Sequence, residues 1–175
     1  MLARIRHLFL SPRGRINRSP FAIGLLVWLL FYGLQAIWFS VSGTSQLNFF
    51  LALCLLFLNI HILFCLYGKR LHDFGRTTWP LIGMFALVLI TAIFVMLNFG
   101  GLEYFETLYE NPEIAENAEA MKKVHEDYKA KLAENLPQTR LIMATIPILF
   151  TLWVGLKPGH TETNTYGEVP ASFKP

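Results

Sequence analysis

Hydrophobic positions along this chain gather into four blocks instead of recurring at a helical or alternating period. Residues 21–39 run 19 positions without a charge. Residues 49–67 run another 19, with Asn59 and His61 as polar interruptions. Residues 79–99 form a third block of 21, and residues 141–156 a fourth of 16. A membrane-spanning helix needs about 20 apolar residues, with a range of about 17 to 25. The fourth block reaches that length if its helix begins near Pro137, since proline is tolerated in a first turn. The pattern predicts an all-α polytopic membrane protein. It forms a single membrane domain over residues 1–175, with spans at about 21–39, 49–67, 79–99 and 137–156. The first block is longer than the roughly 7 to 15 residues of a signal-peptide core. Twenty residues precede it and no A-x-A site follows, only the weaker Ser40-Val41-Ser42-Gly43, so it is read as a retained span.

Polar punctuation predicts the remaining elements. Leu2, Ile5, Leu8 and Phe9 recur at helical spacing, which suits a short interfacial helix that Ser11-Pro12-Arg13-Gly14 ends. The third and fourth spans are joined by a long outer segment, residues 100–136. It opens with an aromatic-rich piece over residues 102–109. Asn111-Pro112 then reads as a cap followed by the first position of a soluble helix reaching about Asn135. Glu119 with Lys123, and Asp127 with Lys131, are i,i+4 pairs in that helix. Ile114, Ala118, Met121, Tyr128 and Leu132 give it a narrow apolar stripe. The helix is expected to rest on the outer ends of the spans, with docking of an external protein partner as the alternative. Pro147 is expected to kink the fourth span.

Composition fits a membrane solvent. Apolar residues make up 54% of the chain and charged residues 15%, against about 25% charged in a typical soluble domain. Charge then sets the orientation. Arg4, Arg6, Arg13, Arg15 and Arg18 precede the first span, Lys69, Arg70 and Arg76 lie between the second and third, and Lys157 and Lys174 follow the fourth. The first connection has no basic residue, and residues 100–140 hold nine of the twelve acids. Basic residues in short loops mark the cytoplasmic side. Both termini are therefore expected in the cytoplasm, the acidic segment outside, and the protein in a bacterial inner membrane. Membrane lipids, anionic ones among them, are the expected partners. The basic residues flank spans, so nucleic acid is not an expected partner. Cys54 and Cys65 lie about 16 Å apart along one helix, too far for a disulfide. There is no Walker loop, nucleophile elbow, dinucleotide fingerprint, C-x-x-C or H-E-x-x-H. No cofactor and no metal are expected.

Three polar clusters remain, and the topology brings all three to one membrane face. The first is Gly14-Arg15-Ile16-Asn17-Arg18. The second, Lys69-Arg70-Leu71-His72-Asp73-Phe74-Gly75-Arg76, carries more chemistry than a plain connection needs. The third is Asn164-Thr165-Tyr166-Gly167. Together they read G-R-x-x-R, R-L-H-D-x-G and N-x-Y-G. In that combination the chain resembles the bacterial inner-membrane proteins of domain-of-unknown-function family 805, from about residue 10 to residue 170. The resemblance implies a small helical membrane protein and brings no established activity or catalytic residue. Two departures stand out: Ser19-Pro20-Phe21 replaces a more usual acidic-aromatic entry to the first span, and the outer segment is longer than usual.

The residues themselves support several readings. As a structural lock, Asp73 pairs with Arg15, Arg18 or Arg70, while Asn164 and the Tyr166 hydroxyl satisfy backbone groups at helix ends. As a binding site, Arg15, Arg18, Arg70 and Arg76 surround an anionic head group. As a catalytic pair, His72 and Asp73 transfer protons. A zinc site would need His160 to join those two residues. Asn59 and His61, mid-span, suit either interhelical hydrogen bonds or a proton or solute path. The expected function is a non-enzymatic scaffold or accessory protein whose cytoplasmic face holds an anionic lipid or a partner. A small transporter or channel component using His61 and Asn59 is the alternative, and a membrane enzyme using His72 and Asp73 comes after it.

Overall fold

The structure, a computed structural model, describes residues 2–43 and 45–170, with side chains from residue 5 onward. The α-helices are α1 (Leu2–Phe9), α2 (Arg18–Val41), α3 (Gln46–Asp73), α4 (Trp79–Met96), α5 (Leu102–Glu110), α6 (Ala118–Glu134) and α7 (Leu136–Leu156). Four helical stretches are long and apolar enough to cross a membrane: α2, α3, the stretch Trp79–Glu110 and α7. The chain itself buries only 11% to 22% of the most apolar part of each. Leu26, Leu30 and Leu34 on α2 and Phe49, Phe57 and Ile60 on α3 are all exposed. Such continuous apolar surface suits lipid, not water.

The chain divides into two compact units, Met1–Ile82 with Thr151–Pro175, and Gly83–Phe150. In the first unit, α2 turns into α3 through a tight connection. The Ser45 hydroxyl caps α3 by accepting from the Asn48 N–H at 3.1 Å. The Asn48 amide closes the turn by donating to the Ser42 and Gly43 carbonyls. Helix α3 runs 28 residues, roughly 42 Å at 1.5 Å per residue, against a hydrocarbon core of about 30 Å. It therefore extends beyond its apolar block. The stretch from Lys69 to Asp73 is the last part of α3, so the connection to α4 is only about five residues long. Gly75 supplies the stop. Its φ of +73° suits glycine, its N–H donates to His72 O, and the Arg76 N–H donates to Leu71 O at 2.9 Å. That pair of bonds is a Schellman ending. Close approach is built in nearby: a Cβ on Gly24 of α2 would sit 2.7 Å from Leu66 of α3.

In the second unit, α4 ends in a π-helical turn, Leu97–Gly101, where Phe99 and Gly100 leave helical geometry. Gly100 has a φ of +108°, which lets the chain turn into α5. The soluble helix begins later than Asn111-Pro112 suggests. Pro112–Glu116 is a short 3₁₀ turn, and Asn117 caps α6 by accepting from the N–H groups of Glu119 and Ala120. The Asn111 amide instead donates back to Thr107 O at the end of α5. Helices α5 and α6 meet through Tyr104, whose ring contacts those of His125 and Tyr128, and through an ion pair between Glu103 and Lys131. Helix α7 has Pro137 in its first turn and continues past Pro147 to Leu156.

Candidate functional site

The three polar clusters assemble at one end of the first unit, and its centre is a carboxylate shared by two arginines. Asp73, on the last turn of α3, is 1% exposed. Its Oδ1 accepts from Arg15 Nε and Nη2 at 3.4 and 3.3 Å. Its Oδ2 accepts from Arg70 Nη1, one turn earlier on the same helix. Arg15 reaches the site from the loop ahead of α2, where Gly14 takes a φ of +94°. The fork does not stop at Asp73. Arg15 Nη1 donates to the carbonyls of Glu162 and Gly167 at 2.8 and 3.1 Å, and Nη2 to that of His160 at 2.7 Å. A guanidinium has five N–H donors, and each of these has an acceptor in the chain.

Arg70 is fully buried and serves a helix end. Its Nε donates to Val154 O at 3.2 Å and its Nη2 to Lys157 O, at the C-terminus of α7. Lys69, also fully buried, does the same for α1: its ammonium donates to the carbonyls of His7 and Leu8. The last carbonyls of a helix have no partner within it and carry the negative end of its dipole. Three helix C-termini, those of α1, α3 and α7, thus converge on three buried cations. This accounts for the tolerance of an apparent excess of positive charge: Arg15 and Arg70 share the Asp73 carboxylate, Lys69 meets the last carbonyls of α1, and backbone dipoles supply the rest. Partial burial, and then the Lys69 ammonium, hold the His7 imidazole below its ordinary pKa.

The tail closes over this end. The His160 N–H donates to Asp73 O at 2.8 Å. Asn164 and Gly167 exchange two backbone hydrogen bonds, and the Asn164 amide donates to His72 O at 2.9 Å. The Tyr166 ring lies flat on the His72 ring, with centroids 3.9 Å apart and planes 3° from parallel. His72 Nδ1 lies 3.3 Å from Gly14 O. Tyr166 therefore contributes its ring face, where the sequence suggested its hydroxyl. Gly159 packs directly on the Asp73 carboxylate, and any Cβ there would overlap it. The Asn17 amide donates to Pro170 O at 3.2 Å.

Among the candidate residues, Arg15, Arg70, His72, Asp73, Asn164 and Tyr166 form this one cluster. Arg18 lies at its edge, exposed, with Nε donating to Lys157 O at 3.3 Å and no bond to Asp73. Arg76 is exposed, and no side-chain hydrogen bond or ion pair ties it to the cluster among the described residues. Asn59 and His61 do not meet each other. Asn59 faces α2, accepting from Trp28 Nε1 at 2.9 Å and donating to Gln35 Oε1 at 2.8 Å. His61 faces the chain after α1, with Nε2 3.2 Å from Leu10 O. Among the described residues, no group of three His, Cys, Asp or Glu side chains is placed to hold a metal.

Sequence reasoning missed Lys69 as a helix-end cation, and it missed Gly159. The available signal for Lys69 was its place at the edge of the apolar block, beside Arg70. The acceptors on the tail and on α7 are backbone carbonyls, which no residue type announces.

No curated protein and no solved structure matches the chain. A family model does: the family described as "Protein of unknown function (DUF805)" matches residues 9–168, a range that includes all three motif clusters. The chain belongs to the DUF805 family.

Proposed function

We propose that this chain is a non-enzymatic scaffold or accessory protein of a bacterial inner membrane, and that its motif cluster is a structural lock facing the cytoplasm. One observation carries the reading: every N–H of Arg15 already has an acceptor within the chain, and Asp73 is shared between two arginines. A head-group site needs donors to spare, and a proton-transfer pair needs a carboxylate directed at its histidine. Neither role suits groups so engaged. Among the described residues of this unit, the exposed Arg6, Arg13, Arg18 and Arg76 remain for an anionic membrane surface. Each contributes about 1 kcal/mol of attraction to anionic lipid. The orientation rests on the basic residues that flank this end.

Native mass spectrometry in mild detergent, with a thermal melt of each sample, tests the lock. Arg15→Ala is expected to lower the melting temperature while leaving the pattern of bound lipid unchanged. A defined lipid mass lost in Arg15→Ala at unchanged melting temperature would make the cluster a head-group site and overturn the lock.

A further inference from the structure

The turn that ends α4 falls where a bilayer ends. Phe99 lies 20 residues beyond Trp79, about 30 Å along the axis at 1.5 Å per residue, and a hydrocarbon core is about 30 Å thick. The chain carries no charge from Thr77 to Leu102, and Glu103 is the first charged residue after that stretch. At Phe99 and Gly100 the backbone leaves helical geometry, so α5 departs from the line of α4. The turn is packed, not frayed. A Cβ on Gly101 would overlap the Met96 carbonyl, and one on Gly100 would sit 3.3 Å from the Tyr128 ring of α6.

Helix α5 presents three sides. One packs on α6 through Tyr104 and the Glu103–Lys131 pair. A second carries Glu106 and Glu110, one turn apart and both exposed. The third is a stripe of Leu102, Phe105 and Tyr109, spaced i, i+3 and i+7 and 51% to 88% exposed. The position of the stripe decides what covers it. Ile90, Ile93 and Phe94, in the last two turns of α4, are exposed on a stretch long and apolar enough to cross a membrane, so they face lipid. Leu102 carries that uncharged surface past the turn. Aromatic rings suit the boundary that α5 then enters, because a tyrosine ring can reach acyl chains while its hydroxyl stays hydrated. An apolar stripe beside a charged one is the pattern of a helix lying in the interface plane.

We propose that α5 rests in the head-group layer of the phospholipid bilayer, at the leaflet that the C-terminal end of α4 reaches. Leu102, Phe105 and Tyr109 insert among the upper acyl chains, while Glu106 and Glu110 face water. Through Tyr104 and Glu103, α5 then carries α6 at the membrane surface. The contact belongs to the second unit, uses no residue of the lock and holds whichever side of the membrane the lock faces.

Tryptophan quenching on the full chain in phosphatidylcholine nanodiscs tests it. One set of nanodiscs contains phosphatidylcholine brominated near the top of the acyl chains, and acrylamide serves as the aqueous quencher. Tyr109→Trp and Glu106→Trp are each read as the difference from wild type, which removes the signal of the four native tryptophans. The tryptophan added by Tyr109→Trp is expected to emit to the blue, to lose emission to brominated lipid and to be shielded from acrylamide. The one added by Glu106→Trp is expected to show the reverse. Two results would overturn the proposal. Equal quenching of both variants by acrylamide would place α5 in water. Quenching of the Tyr109→Trp signal by neither agent would mean that protein, a second copy included, covers the stripe. If Tyr109→Trp lowers the melting temperature, Phe105→Trp on the same stripe takes its place, with the same outcomes deciding.

Discussion

The two units handle charge in opposite ways. In the first, the charged residues that matter are inside: Arg15, Lys69, Arg70 and Asp73 are the buried charged side chains among the described residues, and all belong to that unit. In the second, charges are more numerous but stay at the surface. The Lys122–Glu126 and Lys131–Glu103 pairs have side chains between 45% and 76% exposed. An exposed pair contributes about 0–1 kcal/mol, whereas removing one partner of a buried pair costs about 3–5 kcal/mol. Breaking a buried pair in the first unit therefore costs more than breaking either exposed pair of the second. What differs is what surrounds the charge. Around Asp73 the remaining donors are engaged by carbonyls of the tail and of the end of α7, while along α6 water competes for every bond.

Substitutions can break or sharpen this contrast. Asp73→Ala should have the largest effect, a loss of about 3–5 kcal/mol, because it strands two buried guanidinium groups. Unfolding in detergent measures it, and an unchanged midpoint would remove the distinction between the units. Gly159→Ala should cost about 1–3 kcal/mol, since the added methyl must displace the Asp73 carboxylate. Tyr166→Ala should lose the stack on His72, about 0.5–1.5 kcal/mol, while Tyr166→Phe keeps it and should be close to neutral. A larger cost for the Phe variant would mean that the hydroxyl contributes after all. Glu103→Gln, at the exposed pair of the second unit, should change stability by less than about 1 kcal/mol.

The pH dependence gives the smallest test. His7 has a folded pKa below its unfolded value, so the unfolded chain binds its proton more readily. Its contribution is present above about pH 6.5 and declines as the pH falls. Protection of α1 from proteolysis should therefore weaken on mild acidification, and His7→Gln should flatten that response.

The spans were legible because lipid imposes a length on every apolar block, and no tertiary detail alters that requirement. The clusters were legible for a related reason: Arg15, Arg70, Asp73 and Asn164 stand at the edges of those blocks, where polar residues need a purpose. Their pairing was only partly so. Arg18 looked as good a partner for Asp73 as Arg15, and only the path of the tail decides between them. The start of α6 was misplaced because Asn111-Pro112 and Asn117 are both plausible caps. The choice fell to which amide oxygen meets free N–H groups, a matter of local backbone geometry. Lys69 was read only as an orienting charge, since its acceptors on α1 lie some sixty positions away and are carbonyls.

The reach of Arg15 into the tail has a consequence for biosynthesis. Its acceptors at His160, Glu162 and Gly167, and those of Arg70 at Val154 and Lys157, leave the ribosome long after both arginines. At about 5–20 residues per second, the nearly ninety residues between Asp73 and His160 take on the order of 5–20 s. Throughout that interval α2 and α3 stand in the bilayer with two guanidinium groups short of partners. A nascent chain stalled before α7 therefore displays a chemical mark of incompleteness, and the finished chain erases it.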